Sequence, residues 1–295
     1  MDFPRSDFPL SRALAGRFEY LAEAGSTNDV LVSHATGTDA AAWPELSVVV
    51  TDNQTRGRGR LGRTWLAPTG KSLAISVLLR PALPDGQPLP SHRLGWFPLL
   101  AGAAMTRAVQ AVVTEGLAAT AREAANRPVA EVREEEHPHH VVTLKWPNDV
   151  LIDGYKVSGI LSELLPDASG IVIGTGLNVS LDEHDLPTLT STSLLLVTGA
   201  APSLDAVLAG YLKQLFGLYR DFLAAGADPE ASGLHAEVTE RCGTLGTTVR
   251  VELPNGSDLI GRATGIDMLG RLVVADQNDE EPFAVAAGDV THLRH

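Results

Sequence analysis

The chain has 295 residues, of which 44% are hydrophobic and 20% are charged, and its formal net charge is -13 at pH 7. This composition is typical of an ordinary globular protein with a sizeable core, and the acidic balance argues against a chain that coats nucleic acid through a broad basic face. The single cysteine, Cys242, excludes an internal disulfide and a cysteine-rich zinc site, and we expect it to be a small buried side chain.

We expect no secretory signal at either end of the chain. MDFPRSDFPLSR lacks the apolar segment of a secretory signal, and no later apolar run reaches the length of a membrane-spanning helix. We therefore expect a cytoplasmic protein without a membrane partner.

The first half of the chain alternates helix and strand signals. GSTNDVLVSHA predicts a helix capped by Ser26 or Thr27. LSVVVTDNQ and KSLAISVLLR predict two buried strands on either side of an arginine-rich loop, and WFPLLAGAAMTRAVQAVVTEGL predicts a core helix.

A charged segment with proline, AREAANRPVAEVREEEHPHH, follows this helix and predicts a solvent-exposed insertion. It contains His137, His139 and His140 next to three glutamates. We interpret these histidines as part of a solvated tract rather than as a metal site.

The second half begins with VVTLKWPNDVLIDGYKVSGILSELL, two apolar runs around Asp153-Gly154, which is a strong hairpin signal. GIVIGTGLNVSL predicts a further strand, and SLDAVLAGYLKQLFGLYRDFLAAG predicts a second long helix. Beyond residue 243, short apolar runs separated by PNG, DMLG and DQNDEE turns predict a small closed β-barrel. We therefore expect two domains, residues 1–242 and 243–295.

The loop TRGRGRLGRTW places four arginines between Arg56 and Arg63. Its GRGRLG segment matches the glycine pattern of dinucleotide-binding folds, but Pro68 follows where that motif requires a helix, and no Gly-Lys-Ser/Thr forms a Walker loop. Glycine lets a backbone approach a ligand closely, and guanidinium groups match phosphate and carboxylate oxygens. We therefore predict an anion-binding loop that is mobile when empty and ordered by its ligand.

A second segment with candidate functional residues is KWPNDVLIDGYKVSGILSE, which contains two of the four lysines, Lys145 and Lys156. Asn148 and Asp149 either satisfy the backbone of a rigid turn or face a ligand. Lys156 follows the hairpin turn and points either to solvent or into a cleft. The glycines of GTGLNVS either let a flat group approach the strand or serve packing.

In the order and spacing of four segments, the chain resembles the biotin protein ligases, also called biotin--acetyl-CoA-carboxylase ligases. The segments are GSTNDV, NQTRGRGRLGRTW, KWPNDVLIDGYKVSGIL and GTGLNVS. The resemblance covers the region from about Phe18 to Arg241 and the C-terminal barrel. It implies an α+β fold in which a mixed β-sheet is flanked by helices. This larger part would be SH2-like, of the class II synthetase and biotin–lipoate ligase type, and a small SH3-like β-barrel would follow at the C-terminus. Bifunctional members begin with a helix-turn-helix domain. Only 25 residues precede Ser26 here, so we expect no repressor function and no nucleic-acid partner.

The resemblance also assigns site residues by position. The biotin-binding set is Ser26, Thr27, Asn28, Gln54, Arg58, Gly59, Arg60 and Lys156, of which Arg58, Arg60 and Lys156 are the catalytic cations. The nucleotide-binding set is Arg63, Trp65, Lys145, Asn148 and Asn178, and no metal ligand is assigned. Leu61 stands where other members can carry a further arginine, so the loop need not use every possible cation.

The reaction that the resemblance implies has two steps, with ATP and biotin as substrates and Mg²⁺ on the phosphates. Biotin first becomes biotinyl-5'-AMP, and a lysine of a biotin carboxyl carrier protein or domain of acetyl-CoA carboxylase or a related carboxylase then takes the biotinyl group. Because the carboxylate is already ionised at neutral pH, the first step needs charge neutralisation and alignment rather than a general base. The arginine loop would supply that positive charge.

Two alternatives stay open at this point. One is a lipoate-protein ligase-like acyl-adenylating enzyme, which would lack polar partners for a ureido ring. The other is a non-catalytic nucleic-acid-binding module, which the net charge disfavours. We expect a monomer or a weak homodimer.

Overall fold

A large mixed sheet forms the centre of the molecule. The computed structural model describes residues 7–65, 67–125, 140–253, 256–275, 281–286 and 288–293. The strands of the large sheet are β1 (Arg17–Tyr20), β2 (Ser47–Thr51), β3 (Ser72–Leu79), β4 (Val142–Lys145), β5 (Asp149–Ile152), β6 (Tyr155–Leu164) and β7 (Ile171–Asn178). Their order is β1-β2-β3-β7-β6-β5-β4, with β1 and β2 parallel and the other neighbours antiparallel.

Helices lie against both faces of this sheet. They are α1 (Pro9–Arg12), α2 (Thr27–Thr36), α3 (Trp96–Ala125), α4 (Leu194–Thr198), α5 (Leu204–Ala224) and α6 (Leu234–Arg241). Of the two predicted caps, Ser26 and Thr27, it is Ser26 that caps α2, by accepting a hydrogen bond from the Asp29 backbone N–H over 3.4 Å. The α+β prediction, with a mixed sheet flanked by helices, is confirmed.

Helix α3 runs further than the sequence predicts. The exposed insertion was expected from residue 121, but α3 continues to Ala125, because the alanine-rich AREAA has a high helix propensity and extends the helix. The rest of the predicted insertion, including His137 and His139, lies outside the described residues. His140 is described, and its Nδ1 lies 2.5 Å from Asp153 Oδ2.

Helix α3 is nevertheless the central core helix that its apolar sequence predicts. The segment Ser91–Ala119 is long and apolar enough to cross a membrane, but 67% of its most apolar window is buried inside the protein. Its side chains, such as Leu100 and Met105, belong to the main hydrophobic cluster. The apolar surface of the helix is therefore used for packing.

The two faces of strand β7 have different roles, because side chains alternate along a strand. On one face Ile173 packs into the main core, and Thr175 Oγ1 forms a 2.9 Å hydrogen bond with the hydroxyl of Tyr211 on α5. On the other face Gly174 and Gly176 lie under α2 and the arginine loop. The pattern IVIGTGLN thus leaves no large side chain of β7 on the part of this face next to Gly174 and Gly176.

A second, antiparallel sheet follows near the C-terminus. Its strands are β8 (Thr248–Glu252), β9 (Asp258–Ile266), β10 (Leu272–Ala275), β11 (Phe283–Val285) and β12 (Asp289–His292), in the order β11-β10-β9-β8-β12. The predicted short strands are therefore confirmed. The division into two domains at residue 243 stays a prediction.

The turn between β9 and β10 fixes this smaller sheet to the larger one. The Met268 carbonyl accepts a 3.0 Å hydrogen bond from the indole of Trp96, and the Gly270 carbonyl accepts one of 3.0 Å from the indole of Trp146. Apolar residues of both sheets also belong to one continuous core cluster. The small sheet is thereby held beside the segment that precedes β5.

Candidate active site

One cavity of about 820 Å³ lies against the large sheet next to Gly174 and Gly176. The N-terminus of α2, strands β5 to β7, strand β12 and the arginine loop (Arg56–Trp65) enclose it. Every site residue that the sequence predicts lines this cavity, namely Ser26, Thr27, Asn28, Gln54, Arg58, Gly59, Arg60, Arg63, Trp65, Lys145, Asn148, Lys156 and Asn178. Their roles toward a ligand stay predictions.

The glycines of β7 make room for two cavity side chains. A Cβ on Gly176 would lie 2.3 Å from Cε2 of Trp65, and a Cβ on Gly174 would lie 2.4 Å from Oδ1 of Asn28. Side chains never approach so closely without displacement. The sequence left open whether these glycines admit a flat group or serve packing, and in the structure they admit an indole and an amide of the same chain.

Hydrogen bonds hold the Asn28 amide in one orientation. Its Nδ2 donates to Glu163 Oε2 over 2.6 Å and to the Leu161 carbonyl over 3.3 Å. Its Oδ1 accepts from Ser76 Oγ over 2.6 Å. Since Asn28 is only 5% exposed, these bonds cannot be exchanged freely for water, and the amide is preorganised.

Gln54 anchors the start of the arginine loop. Its Oε1 accepts a 3.0 Å hydrogen bond from the Thr27 backbone N–H at the beginning of α2. A Cβ on Gly57 would lie 2.4 Å from Gln54 Nε2 and 2.0 Å from the Trp65 carbonyl. Glycine is therefore required at position 57 because the two ends of the loop meet there.

The arginine loop folds back on itself and does not open a helix. The Gly59 N–H donates to the Arg63 carbonyl over 2.6 Å, and the Trp65 N–H donates to the Gly57 carbonyl over 2.9 Å. One 3₁₀ turn, Arg60–Gly62, has Leu61 in the left-handed region at φ 55°. The rejection of a dinucleotide fingerprint is thus confirmed, because that motif requires a helix after its last glycine.

Each of three loop arginines contacts a different partner. Arg58 pairs with Asp29 and Glu163, Arg60 donates to Asn148 Oδ1 and the Gly288 carbonyl, and Arg63 pairs with Asp289. These partners offset the mutual repulsion that four adjacent cations would otherwise experience. The mobility of the loop without ligand stays a prediction.

Both lysines of the second motif face the cavity. Lys156 Nζ lies 2.7 Å from Asp149 Oδ1 and 5.5 Å from the centre of the Trp65 ring, so its side chain points into the cleft rather than to solvent. Burial lowers the pKa of Lys145, although the charges of Asp149 and Asp289 act in the opposite direction. Burial likewise lowers the pKa of the Arg60 guanidinium. The cavity thus holds positive charge that is poorly hydrated.

Asp289 brings the small sheet into the site. Burial tends to raise the pKa of its carboxyl, but the hydrogen bond and charge of Arg63, together with the charges of Lys145 and Arg60, hold the pKa below its usual value. No motif in the sequence points to Asp289, since its contact with Arg63 spans 226 positions. Asp149 and Glu163 lie within the KWPND segment and its continuation, where the strand alternation could have pointed to them.

The carboxylates of the cavity do not form a metal centre by themselves. Among the described ranges, no group of three or more histidine, cysteine, aspartate or glutamate side chains is arranged to hold a metal ion. Asp149 and Asp289 are each already paired with a cation. Mg²⁺ commonly uses few protein ligands beside phosphate oxygens, and its presence here stays a prediction.

Comparison with known proteins gives consistent matches. The family model described as the biotin/lipoate A/B protein ligase family matches residues 25–178. The biotin--[acetyl-CoA-carboxylase] ligase of Mycobacterium tuberculosis is 34% identical, over 94% of this chain and 90% of the relative. The bifunctional ligase/repressor BirA of Bacillus subtilis is 29% identical, and the match spans only 62% of its length. The structure of an Aquifex aeolicus biotin protein ligase in complex with biotin and ATP has the same fold, with a TM-score of 0.67 and 24% identity over 95% of this chain and all of the other.

Proposed function

The chain belongs to the biotin/lipoate A/B protein ligase family, and from this premise we propose that it activates biotin with ATP and transfers the biotinyl group to a lysine of a carrier protein. The observation that supports this most is the combination of a polar recess at the start of α2 with a cluster of cations in the same cavity. The mycobacterial relative bears the name of this activity.

The first step joins two anions. The biotin carboxylate oxygen attacks the α-phosphorus of ATP, the bond to the β-phosphate oxygen breaks, and pyrophosphate leaves with the bonding electrons. Arg58, Arg60 and Lys156 would offset the negative charge that converges on the α-phosphate. Removing one such group costs about 2–4 kcal/mol of transition-state stabilisation, by analogy with deleting a single oxyanion donor.

The second step uses the mixed anhydride. The amine of a carrier lysine attacks the biotinyl carbonyl, an amide bond forms, and AMP leaves while the amine loses a proton. Because the anhydride reacts with water, the loop over the cavity would have to exclude solvent until the carrier arrives. We propose a biotin carboxyl carrier protein or domain of acetyl-CoA carboxylase or a related carboxylase as this partner.

The polar recess favours biotin over lipoate. Ser26, Thr27, Asn28 and Gln54 offer hydrogen-bonding groups that a ureido ring can use and a dithiolane ring cannot. The hydrogen-bonding positions that these residues do not use within the chain could be filled by a ureido ring and would stay unpaired with lipoate, so this arrangement discriminates against lipoate. The lipoate alternative is therefore the less supported of the two.

The remaining expectations follow from the proposed reaction. Mg²⁺ would enter with ATP and neutralise phosphate charge, and the reaction would take place in the cytoplasm. The net charge of -13 and the pairing of the loop arginines with carboxylates of the chain argue against a nucleic-acid partner. A monomer or weak homodimer stays our prediction.

Pyrophosphate release tests the proposal directly. Purified protein with MgATP should release pyrophosphate when biotin is added but not when lipoate is added, and a carrier domain should then become biotinylated. Lys156→Met should slow release by a factor of about 10²–10³, whereas Lys213→Met, an exposed lysine on α5, should not. Release that depends on lipoate instead of biotin, or on neither, would refute the proposal.

A further inference from the structure

Glu163, near the end of β6, connects two parts of the cavity. Its Oε2 accepts the 2.6 Å hydrogen bond from Asn28 Nδ2, and its Oε1 lies 3.3 Å from Nη2 of Arg58. Asn28 belongs to the polar recess, and Arg58 belongs to the arginine loop. One carboxylate therefore contacts both the ring-recognition end and the cationic end of the cavity.

The contact with Glu163 determines which group Asn28 presents. Both hydrogens of Nδ2 are used, one by Glu163 and one by the Leu161 carbonyl. The Ser76 hydroxyl, which also lies 2.8 Å from Thr27 Oγ1, provides at most one hydrogen bond to Oδ1. An amide oxygen can accept two hydrogen bonds, so Oδ1 keeps one acceptor position. Asn28 in this orientation can accept from an N–H group of a ligand and cannot donate to it.

Arg58 is held less firmly than Asn28. Its side chain is 46% exposed and is shared between Glu163 and Asp29. Exposed ion pairs of this kind contribute little and exchange partners readily. Arg58 can therefore leave its carboxylates for an anionic ligand, while Glu163 keeps its bond to Asn28.

We propose that Glu163 is a positioning residue that orients Asn28 as an acceptor for a ring N–H of biotin and at the same time places Arg58 above the recess. This inference rests on the proposed function and deepens it. Glu163 would act on biotin through Asn28 and Arg58 without touching the reacting atoms. When Glu163 is replaced, Asp29 still pairs with Arg58, so the main effect should fall on biotin binding through Asn28, and the chemistry and the binding of ATP should change little.

Three variants separate the two contacts. Glu163→Ala removes both of them. Glu163→Gln keeps the size of the side chain and can still turn its amide oxygen toward Asn28 Nδ2. Its NH₂ group then faces Arg58, and because both groups are donors, the contact with Arg58 is lost. Asp29→Asn is the matched control. Asp29, like Glu163, pairs with Arg58, but among the described residues only Glu163 of the two also bonds to Asn28.

Steady-state pyrophosphate release in the full chain tests the proposal, with the KM for biotin and the KM for ATP measured separately. Glu163→Ala should raise the KM for biotin about tenfold or more, the effect of losing a hydrogen bond to a charged group. Glu163→Gln should give a smaller increase, and Asp29→Asn should stay within about twofold of the wild type. The KM for ATP should change less than about twofold in all three, which general damage to the site would not produce.

Several results would overturn the inference. One is a folded Glu163→Ala with the wild-type KM for biotin, and another is a KM for ATP that rises as much as the KM for biotin. If Glu163→Ala does not fold, Glu163→Met takes its place, because it keeps the length of the side chain and loses both contacts. An unchanged KM for biotin in that variant would overturn the inference equally. A wild-type protein that shows no biotin-dependent release would instead refute the proposed function, so the two failures are distinguishable.

Discussion

Arg60 Nη1 donates a hydrogen bond to Asn148 Oδ1 over 3.0 Å, and this contact joins the arginine loop to the turn between β4 and β5, 88 positions away. The same guanidinium donates to the carbonyl of Gly288, just before β12, over 3.2 Å. One side chain therefore connects the loop, the large sheet and the small sheet. The loop is held over the cavity by its own arginines.

Replacing Arg60 should release the intermediate. In Arg60→Gly both hydrogen bonds are lost, so the protein should retain about tenfold less biotinyl-5'-AMP and label bystander lysines without selection. Filtration of a single-turnover reaction, followed by quantification of adenylate in the filtrate, measures this. Leu61→Gly adds a glycine to the same turn without removing a cation and serves as the control. Retention of the intermediate as in the wild type would contradict the shielding role of Arg60.

The bond between the loop and the small sheet should depend on pH. Because the pKa of Asp289 is lowered in the folded protein from the usual 3.8, its pairing with Arg63 stabilises the fold at neutral pH and is lost as the pH falls through the lowered value. Asp289→Asn should cost about 0.5–1 kcal/mol at pH 7, as expected for a partly exposed pair. Thermal unfolding of both proteins from pH 7 down to pH 3 should show the difference shrinking in acid. A difference that grows in acid would be inconsistent with this sign.

The close contact of Gly176 with Trp65 should be sensitive to one methyl group. Gly176→Ala would place a Cβ 2.3 Å from the indole, so Trp65 must leave its position in the cavity. We expect the KM for ATP to rise about tenfold, since base–aromatic stacking contributes about 1–3 kcal/mol. Gly265→Ala, on β9 with no atom within 4 Å of the added Cβ, is the matched control. Equal nucleotide affinity in both variants would show that the indole position is irrelevant to ATP.

Much of the fold can be read from the sequence where patterns are local. Ser26 or Thr27 was predicted as a helix cap, and the cap is Ser26. Asp153-Gly154 was predicted as a hairpin turn, and both residues have positive φ. The predicted end of α3 was wrong, because the helix does not stop before the charged segment but continues into it as far as Ala125. Local propensity alone does not fix where a helix ends.

The residues of the site could be predicted from the sequence only where they belong to recognisable motifs. The residues assigned by resemblance line one cavity, but the geometry between them was not foreseeable. The contact of Glu163 with Asn28 spans 135 positions, and that of Asp289 with Arg63 spans 226. Such pairs depend on sheet register and on the packing of the two sheets, which a single sequence does not specify.

We expect the buried lysine Lys145 to contribute to adenylation and to lower the stability of the fold. Its burial lowers the pKa, so the charged form destabilises the fold at neutral pH, and this cost disappears as the pH rises toward the usual 10.5. Lys145→Met should therefore increase the free energy of unfolding by about 1 kcal/mol at pH 7 while slowing adenylation. Chemical denaturation at pH 7 and pH 9.5, with Lys213→Met as the control, measures this. If Lys145→Met were less stable than the wild type at pH 7, burial of the charged Lys145 would not be what destabilises the fold.

The central claim is that a cavity closed by the arginine loop brings two anionic substrates together and keeps their product. A rapid-quench experiment on the protein with biotin and MgATP, in the absence of any carrier, tests it most directly. The account predicts a burst of pyrophosphate of about one equivalent per active site, followed by biotinyl-5'-AMP that stays bound. If no pyrophosphate appears above a reaction without biotin, the account is contradicted.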